Sequence, residues 1–554
     1  MGLSERTIER NAFKARAHNI TIIVGILLIS FFYLLIGYQF CLHYGIYDEG
    51  VTIYGAARIL NGDVPYRDFW TLYPPGEFYL LAGIFKTFGT SIVVERILSV
   101  VIHSLLAVFV YLFARRLVPQ RFALLSWLLA LALLRFRKDI TYSLPVPPAL
   151  LFVMLSCLSL SNFISTKRQR WLVISGLLAG MATLFRQDIG LYTFVSGSLI
   201  IFASIFTNLY RDEKTSMMRI KKGLKANLQY FLGTVIIILP VILYFGFKGA
   251  IHNLVSDLVL FPIKVYPKFL DLPFPKPAPD TIIFYFPLVV FFIVTLTLIF
   301  KIRYGNFSTQ RTQLTLLCLL LGVTFFNHLL IRTDKTHLLS TMMPAIILFS
   351  LLAFEVSGKT LFKKQGRYAI FIWGIAFLVA LSLLIIPIKP IFPKVKMLLI
   401  SPRDLAHLEL KSSRALGCYD SEDNTMFQQA ALKYIQQHTK PEERIFVGNI
   451  RHDRIVINDI MFYFLSGRHS ATKYHQLAPG LVTTRKVQRE IISEIKQHQV
   501  KYVVLWAGSE EMREPNESCK SSGVKDLDNF IWQNYKTAQR FGSYIILHRA
   551  KDFS

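Results

Sequence analysis

Apolar runs long enough to cross a bilayer recur along this chain, separated by short loops rich in lysine and arginine. This alternation restricts the fold more than any other feature. A helix of about 20 residues crosses the roughly 30 Å hydrocarbon core of a membrane. Within that core every backbone N–H and C=O needs an internal partner, so each run is expected to be helical. Of the 554 residues, 53% are hydrophobic and 18% charged, with a mean hydropathy of +0.43; soluble domains carry about 25% charge. The expected fold class is a polytopic α-helical membrane protein. Its spans fall at about 20–38, 92–113, 122–137, 145–163, 171–187, 189–208, 228–247, 281–300, 312–331, 338–354 and 368–388, about 11 transmembrane helices. The first run lacks a small-residue cleavage site and reads as a retained helix.

The loops orient the bundle. Arg6, Arg10, Lys14 and Arg16 place the N-terminus, 1–19, in the cytoplasm by the positive-inside rule. The loops that should then lie inside are all basic. They hold Arg115, Arg116 and Arg121; Lys167, Arg168 and Arg170; six basic residues from Arg211 to Lys225; Lys301, Arg303 and Arg311; and Lys359, Lys363, Lys364 and Arg367. Only Arg135, Arg137 and Lys138, in a loop expected outside, resist the pattern. The same placement absorbs the formal net charge of +27, which by itself would suit nucleic acid; no nucleic-acid partner is expected. The transmembrane region then covers 20–388, with 39–91 as its first extracytoplasmic loop, and 389–554 forms an extracytoplasmic α/β domain.

Within 39–91 the pattern predicts an amphipathic helix near 50–60 and a second short helix over 77–88. In the tail, QQAALKYIQQH and VQREIISEIKQHQV read as helices, and ERIFVGNI, KYVVLW and YIILHR as strands, which suits a small sheet with helices packed on it. The tail shows no dinucleotide loop, P-loop or nucleophile elbow, so it is expected to cover or recognise something. Its Cys418 and Cys519 are either a disulfide on an oxidising side or two separate thiols. Asn516-Glu517-Ser518 matches the N-glycosylation acceptor pattern, a match common by chance. The sequence holds no HExxH and no CxxC, and neither a metal nor a cofactor is expected.

Polar residues that interrupt apolar sequence on the outer side are the candidates for chemistry. Asp48 and Glu49 open the first loop; a carboxylate in a partly dehydrated pocket activates an acceptor hydroxyl or amine as a general base. Asp48 is the preferred base, with Glu49 orienting it or contacting the acceptor. Arg186 and Asp188 are either a hairpin ion pair or a site for phosphate and sugar hydroxyls. Arg332 and Lys335 suit a phosphate, the guanidinium as a bidentate fork and the ammonium as a mobile charge. His337 could donate to a leaving group, and His328 is expected to pack inside the bundle. In the loop 248–280, Tyr266 and Lys268 either steer a lipid phosphate or anchor the interface. Tyr474 and His475 are placed to reach back toward the bundle. Tyr73-Pro74-Pro75-Gly76 is a rigid turn.

Taken in order, DEG, AARILNGDVPYRDFWTLYPPGEFYLLAGIFKTFG, GLLAGMATLFRQDIG and RTDKTHLLSTMMPA resemble membrane glycosyltransferases of the GT-C superfamily over about 20–355. The resemblance is to the branch of protein mannosyltransferases, aminoarabinose transferases and rhizobial lipopolysaccharide galacturonosyltransferase-like enzymes. It implies transfer of a sugar from a polyprenyl-phosphate donor to a glycan, lipid or protein acceptor on the outer face of a bacterial inner membrane, usually with inversion. The family's acidic residue matches Asp48, and its later loop positions match Arg332, Asp334 and His337 more loosely. A transporter or flippase would instead show repeats or broken helices at mid-membrane. A noncatalytic binding protein would leave Asp48 and Arg332 without a common cavity.

Overall fold

The computed structural model describes residues 2–39, 45–135, 145–205, 216–303, 309–357, 412–415, 422–550 and 553. Helices α1 (Gly2–Gln39), α2 (Asp48–Leu60), α3 (Pro75–Phe88), α4 (Ile92–Ala114), α5 (Gln120–Arg135), α6 (Val146–Thr166), α7 (Arg170–Phe185), α8 (Gln187–Ser204) and α9 (Ser216–Phe247) come first. Three short helices, α10 (Ile251–Val255), α11 (Phe261–Lys264) and α12 (Tyr266–Phe269), lead into α13 (Phe286–Arg303), α14 (Gln310–Ile331) and α15 (Lys335–Ser357). Among the described residues seven stretches are long and apolar enough to cross a membrane: Ala17–Leu35 within α1, α4, α6, Met217–Phe247 within α9, Ile282–Arg303, α14 and α15. The apolar α5 and α7 are shorter, and α8 packs against α7, α9 and α14. A helix stands at every expected span before residue 358; the expected span at 368–388, the basic Arg137 and Lys138, and Cys418 lie outside the described residues.

Helices in lipid associate through close packing, which favours small residues where backbones meet. The α7–α9 crossing shows why: a Cβ on Gly176 would stand 2.0 Å from the Tyr230 carbonyl oxygen, and one on Gly233 would stand 2.4 Å from that of Val173. Gly180, one turn along α7, meets the Thr234 carbonyl oxygen at 2.9 Å in the same test. Gly176→Leu must therefore force the two helices apart. We expect it to lower stability by at least about 2 kcal/mol, the upper part of the usual overpacking range, read as earlier thermal unfolding in nanodiscs. An unchanged transition would show that this crossing tolerates separation.

The segment expected as an amphipathic helix is α2, and it is a core helix: Glu49 through Arg58 are all buried. One side packs on α3, where a Cβ at Gly55 would strike the Phe78 ring at 2.6 Å; another lies under the tail, where one at Gly50 would meet the Met461 nitrogen at 2.9 Å. With apolar partners on two sides, few positions remain for solvent. The second short helix of the loop is α3, begun by Pro75 at its first turn, a position where the missing N–H costs nothing.

The tail contains α16 (Glu422–His438), β1 (Arg444–Asn449), α17 (Met461–Ser466), β2 (His469–Ser470), α18 (Arg485–Gln497), β3 (Tyr502–Trp506), α19 (Asp526–Asn534), β4 (Tyr535–Phe541) and β5 (Tyr544–Arg549). The strands form one small sheet in the order β2-β1-β3-β5-β4. β1 is parallel to β2 and β3, and β5 is antiparallel to β3 and β4. The strands and helices read from the sequence are all present, joined by α17, α19, β2 and the mostly exposed edge strand β4. The sheet does not keep a separate core. Val51, Ile53, Phe78 and Leu81 of the first loop share one buried cluster with Ile445, Val447, Met461, Phe462 and Val504 of the tail. Backbone bonds tie the same pieces together: the Ile460 and Met461 nitrogens each donate to the Ile46 carbonyl at 3.0 Å, and Trp70 N to the Lys473 carbonyl at 3.0 Å.

Candidate active site

Loops from both halves converge on a cavity of about 220 Å³. Tyr47, Asp48 and Tyr73 come from the first loop, Arg186 from the α7–α8 junction, Tyr266 from α12, His328 from α14 and Arg332, Asp334 and His337 from the α14–α15 turn; the tail contributes Val456, Ile457, Gln476 and Glu514. The tail thus covers the cavity. Eight of the residues singled out in the sequence, Asp48, Tyr73, Arg186, Tyr266, His328, Arg332, Asp334 and His337, line this one space.

Asp48 begins α2, where the unpaired N–H groups of a helix start favour a negative charge. Its field reaches the neighbouring phenols. Burial raises the pKa of Tyr47, and Asp48 adds to the rise; Tyr73 is driven well above its ordinary value by burial first, then by Asp48, with Arg186 opposing. Tyr73 thus shares the cavity wall with the carboxylate and the guanidinium. Glu49, one residue on, takes a different place. Its carboxylate is fully buried and accepts from Arg96 Nε at 2.9 Å, Arg96 Nη2 at 3.1 Å and the Gly45 nitrogen at 2.7 Å. The structure does not bring Glu49 to the cavity wall.

Arg186 and Asp188 form a pair: Nε donates to Oδ1 at 3.0 Å and Nη2 to Oδ2 at 2.7 Å. Nη2 also points at His328 Nε2, 2.8 Å away. An arginine only donates, so this His328 nitrogen presents its lone pair, and the proton sits on Nδ1, 3.1 Å from Ser340 Oγ. His328 is thus polar inside the bundle, as expected, and it positions Arg186. Among the described residues Arg186 Nη1 has no hydrogen-bond partner, and its side chain lines the cavity. Asp188 serves it from behind.

Asp334 caps α15, with Oδ1 accepting from the Thr336 and His337 nitrogens at 2.7 and 2.9 Å. The same oxygen accepts from His337 Nδ1 at 2.8 Å, which leaves Nε2 on the side of Tyr266, 3.5 Å from its hydroxyl. Despite its burial, the Asp334 carboxyl is held far below the usual carboxylate range, chiefly by His337 and then by Arg332. Burial pushes Tyr266 up to about 12. Lys335, the next residue, is exposed and lies off the cavity wall.

Arg332 is more committed than a free phosphate fork would be. Its Nη2 and Nη1 donate to the two carboxylate oxygens of Glu514 at 2.6 and 3.2 Å, Nη1 to the Leu270 carbonyl at 2.6 Å, and Nε to Asp334 at 3.1 Å. Asn516 Nδ2 steadies Glu514 at 2.9 Å and reaches the Asp271 carbonyl at 2.8 Å, so the amide of the glycosylation pattern is used within the fold. Glu514 was not foreseen, since nothing in EEMREPNES distinguishes it from a solvated acid. Its removal should loosen the cover: Glu514→Gln keeps the size and loses the charge-assisted pair, and amide hydrogen exchange across 508–520 should rise about tenfold. Unchanged exchange would mean that the rest of the interface holds this segment by itself.

Elsewhere in the tail, Tyr474 donates to Glu490 at 2.5 Å, and His475 lies 3.3 Å from Arg58 Nη1, edge-on to Tyr54. His475 thus meets the first loop, and burial drives its pKa well below the ordinary value.

This arrangement, polar loops and a tail gathered over one end of a multi-helix bundle, defines a membrane protein with a site lined by arginines, carboxylates and histidines. The family described as dolichyl-phosphate-mannose-protein mannosyltransferase matches residues 73–218. Among solved structures, ArnT from Cupriavidus metallidurans bound to undecaprenyl phosphate superposes with a TM-score of 0.50 at 13% identity, over 95% of this chain and 97% of that one. The apo oligosaccharyltransferase of Archaeoglobus fulgidus gives 0.51 at 12% identity, over 87% and 69%. No curated protein matches the sequence. At these identities the likeness to the two solved structures is one of fold, and the family match over 73–218 agrees with the resemblance read from the motifs in that stretch.

Proposed function

We propose that the protein transfers a sugar from a polyprenyl-phosphate donor to a glycan, lipid or protein acceptor, on the extracytoplasmic face of a bacterial inner membrane, with inversion. Eleven spans, a 20–388 membrane unit and a periplasmic 389–554 tail are the topology that goes with it. The observation that carries the reading is the single cavity shared by Asp48, Arg186, Arg332 and His337. A carboxylate and a set of cationic or N–H donor groups are the two requirements of this chemistry.

In the step proposed, Asp48 takes the acceptor's O–H or N–H proton as the acceptor atom bonds to the anomeric carbon. The bond from that carbon to the phosphate oxygen breaks, and polyprenyl phosphate leaves with the electron pair. Arg186, through Nη1, and His337, through Nε2–H in the imidazolium form that carries a proton on both nitrogens, stabilise the charge that develops on the phosphate, as preorganised donors do. Asp334 holds His337 in register, Asp188 and His328 hold Arg186, and Arg332 fastens the tail while adding positive field. Phosphate is already a competent leaving group, so no second carboxylic acid is required.

The test is protein in nanodiscs with a panel of undecaprenyl-phosphate sugars and bacterial membranes as acceptor, followed for released undecaprenyl phosphate and labelled acceptor. Both products are expected for at least one donor. Movement of an intact lipid-linked sugar across proteoliposomes, with no bond cleaved, would replace the transferase by a flippase.

A further inference from the structure

A second cavity, of about 330 Å³, lies apart from the first, between the 251–264 helices, the Tyr66–Trp70 turn and the start of α18. Its volume is at the small end of ligand-sized pockets. It is built around a break in regular structure: α10 and α11 are joined by one π-helical turn, Ser256–Leu260, a widening frequent at functional sites. Asp257, in that turn, is 5% exposed, with the Trp70 side chain, the Thr71 backbone and the Lys473 ammonium near enough to favour its charged form. Burial pushes its carboxyl up to about 7. Trp70 is fixed edge-on to Phe261 at 5.0 Å.

This wall carries both signs: Lys473 and Lys486 stand with Asp257 and Glu490, and Lys473 Nζ lies 3.3 Å from Glu490. An anion such as phosphate would meet the Glu490 carboxylate here along with a lysine that is already paired. What fits is a neutral ring carrying hydroxyls: a fixed carboxylate accepts O–H donors, and aromatic side chains offer an apolar face with polar tips. The outer face of the same helices exposes Ile251, Val255, Val259, Leu260 and Ile263, a band that suits the headgroup boundary of a membrane. A pocket behind such a band would stand at the depth where the sugar of a glycolipid, or of a glycan resting on the bilayer, is found.

We propose that this second cavity binds an uncharged sugar ring, with Asp257 receiving its hydroxyl hydrogens and Trp70 bounding its apolar face. Its role as the acceptor's subsite rests on the transferase reading; sugar binding itself does not. Ligand-observed NMR on the full chain in nanodiscs, with the methyl glycosides of glucose, galactose and mannose and with methyl glucuronide, tests it directly. A second arm places monogalactosyl diacylglycerol in the nanodisc, to tell a lipid-borne sugar from a free one. At least one neutral sugar should bind saturably, the anionic glycoside at least about tenfold more weakly. Asp257→Asn and Trp70→Phe should each weaken binding at least about tenfold, while Asp48→Asn leaves it intact. Trp70→Phe keeps the ring on Phe261 and carries the test if Asp257→Asn unfolds. Absence of saturable binding by every neutral sugar in both arms, or binding unchanged in both variants, would overturn the proposal. Binding without any transfer by the wild type would remove the acceptor role and leave the site standing. With transfer present, Asp257→Asn should raise the acceptor KM more than it lowers kcat.

Discussion

Asp48→Asn protein inserts and unfolds as the wild type does but transfers sugar about 10²- to 10⁴-fold more slowly, the range lost when a positioned general base is removed. Asparagine matches the carboxylate in shape and retains one acceptor oxygen, so the start of α2 and the packing beneath the tail are preserved. What disappears is the group that takes the acceptor's proton, along with its negative field near Tyr73. The comparison is made at equal thermal stability and equal abundance. Wild-type rates in the variant would remove Asp48 from the chemistry and return the base to another group on the cavity wall. Donor binding, measured separately with undecaprenyl phosphate, should change little, since the phosphate is assigned to Arg186 and His337.

The adjacent residue should show the opposite phenotype. Arg96→Met leaves the Glu49 carboxylate, wholly enclosed, without the guanidinium that holds it from two nitrogens. Breaking a buried pair from one side costs about 3–5 kcal/mol, because the remaining charge has neither water nor a counter-ion. The fold around α2 and α4 should therefore melt much earlier, and activity should fall only in proportion to the unfolded fraction. Combining Arg96→Met with Glu49→Gln removes both charges and should restore much of the lost stability. Thermal unfolding in nanodiscs reads both; a shift below about 2 °C for Arg96→Met, small on the usual scale, would contradict this account of Glu49.

These neighbours also show where the sequence was informative. Asp48, Arg186, Arg332 and His337 were legible because each breaks an apolar run at a helix end, where an unpaired polar group is costly. Glu49 was read with Asp48 because the two are adjacent, but successive residues on a helix point about 100° apart. One faces the cavity and the other the Arg96 side. Glu514 and Gln476 reach the site from more than a hundred residues beyond the end of α15, and no local pattern announces a contact of that range. The tail's strands were legible where they are apolar, as in β1 and β3. β4 presents mostly exposed residues and is held by its ladder with β5, so it lacks a hydrophobic signature. α17, buried at all six positions, has no polar face from which a helical period can be counted.

The core shared between the first loop and the tail also sets an order of events during synthesis. Residues 48–88 leave the ribosome early, yet the side chains that enclose Val51 and Phe78 are encoded at 445–504. Until those later residues are made and delivered to the same side of the bilayer, the loop presents its apolar faces with nothing to cover them. Such long-range closure is slow, and a half-made chain with exposed hydrophobic surface is prone to aggregate. Chains cut short before residue 445 should therefore be recognised as incomplete by quality-control proteases even when every helix of the bundle is already in the membrane, and a tail supplied as a separate polypeptide should mature only where the bundle's open loop is waiting for it.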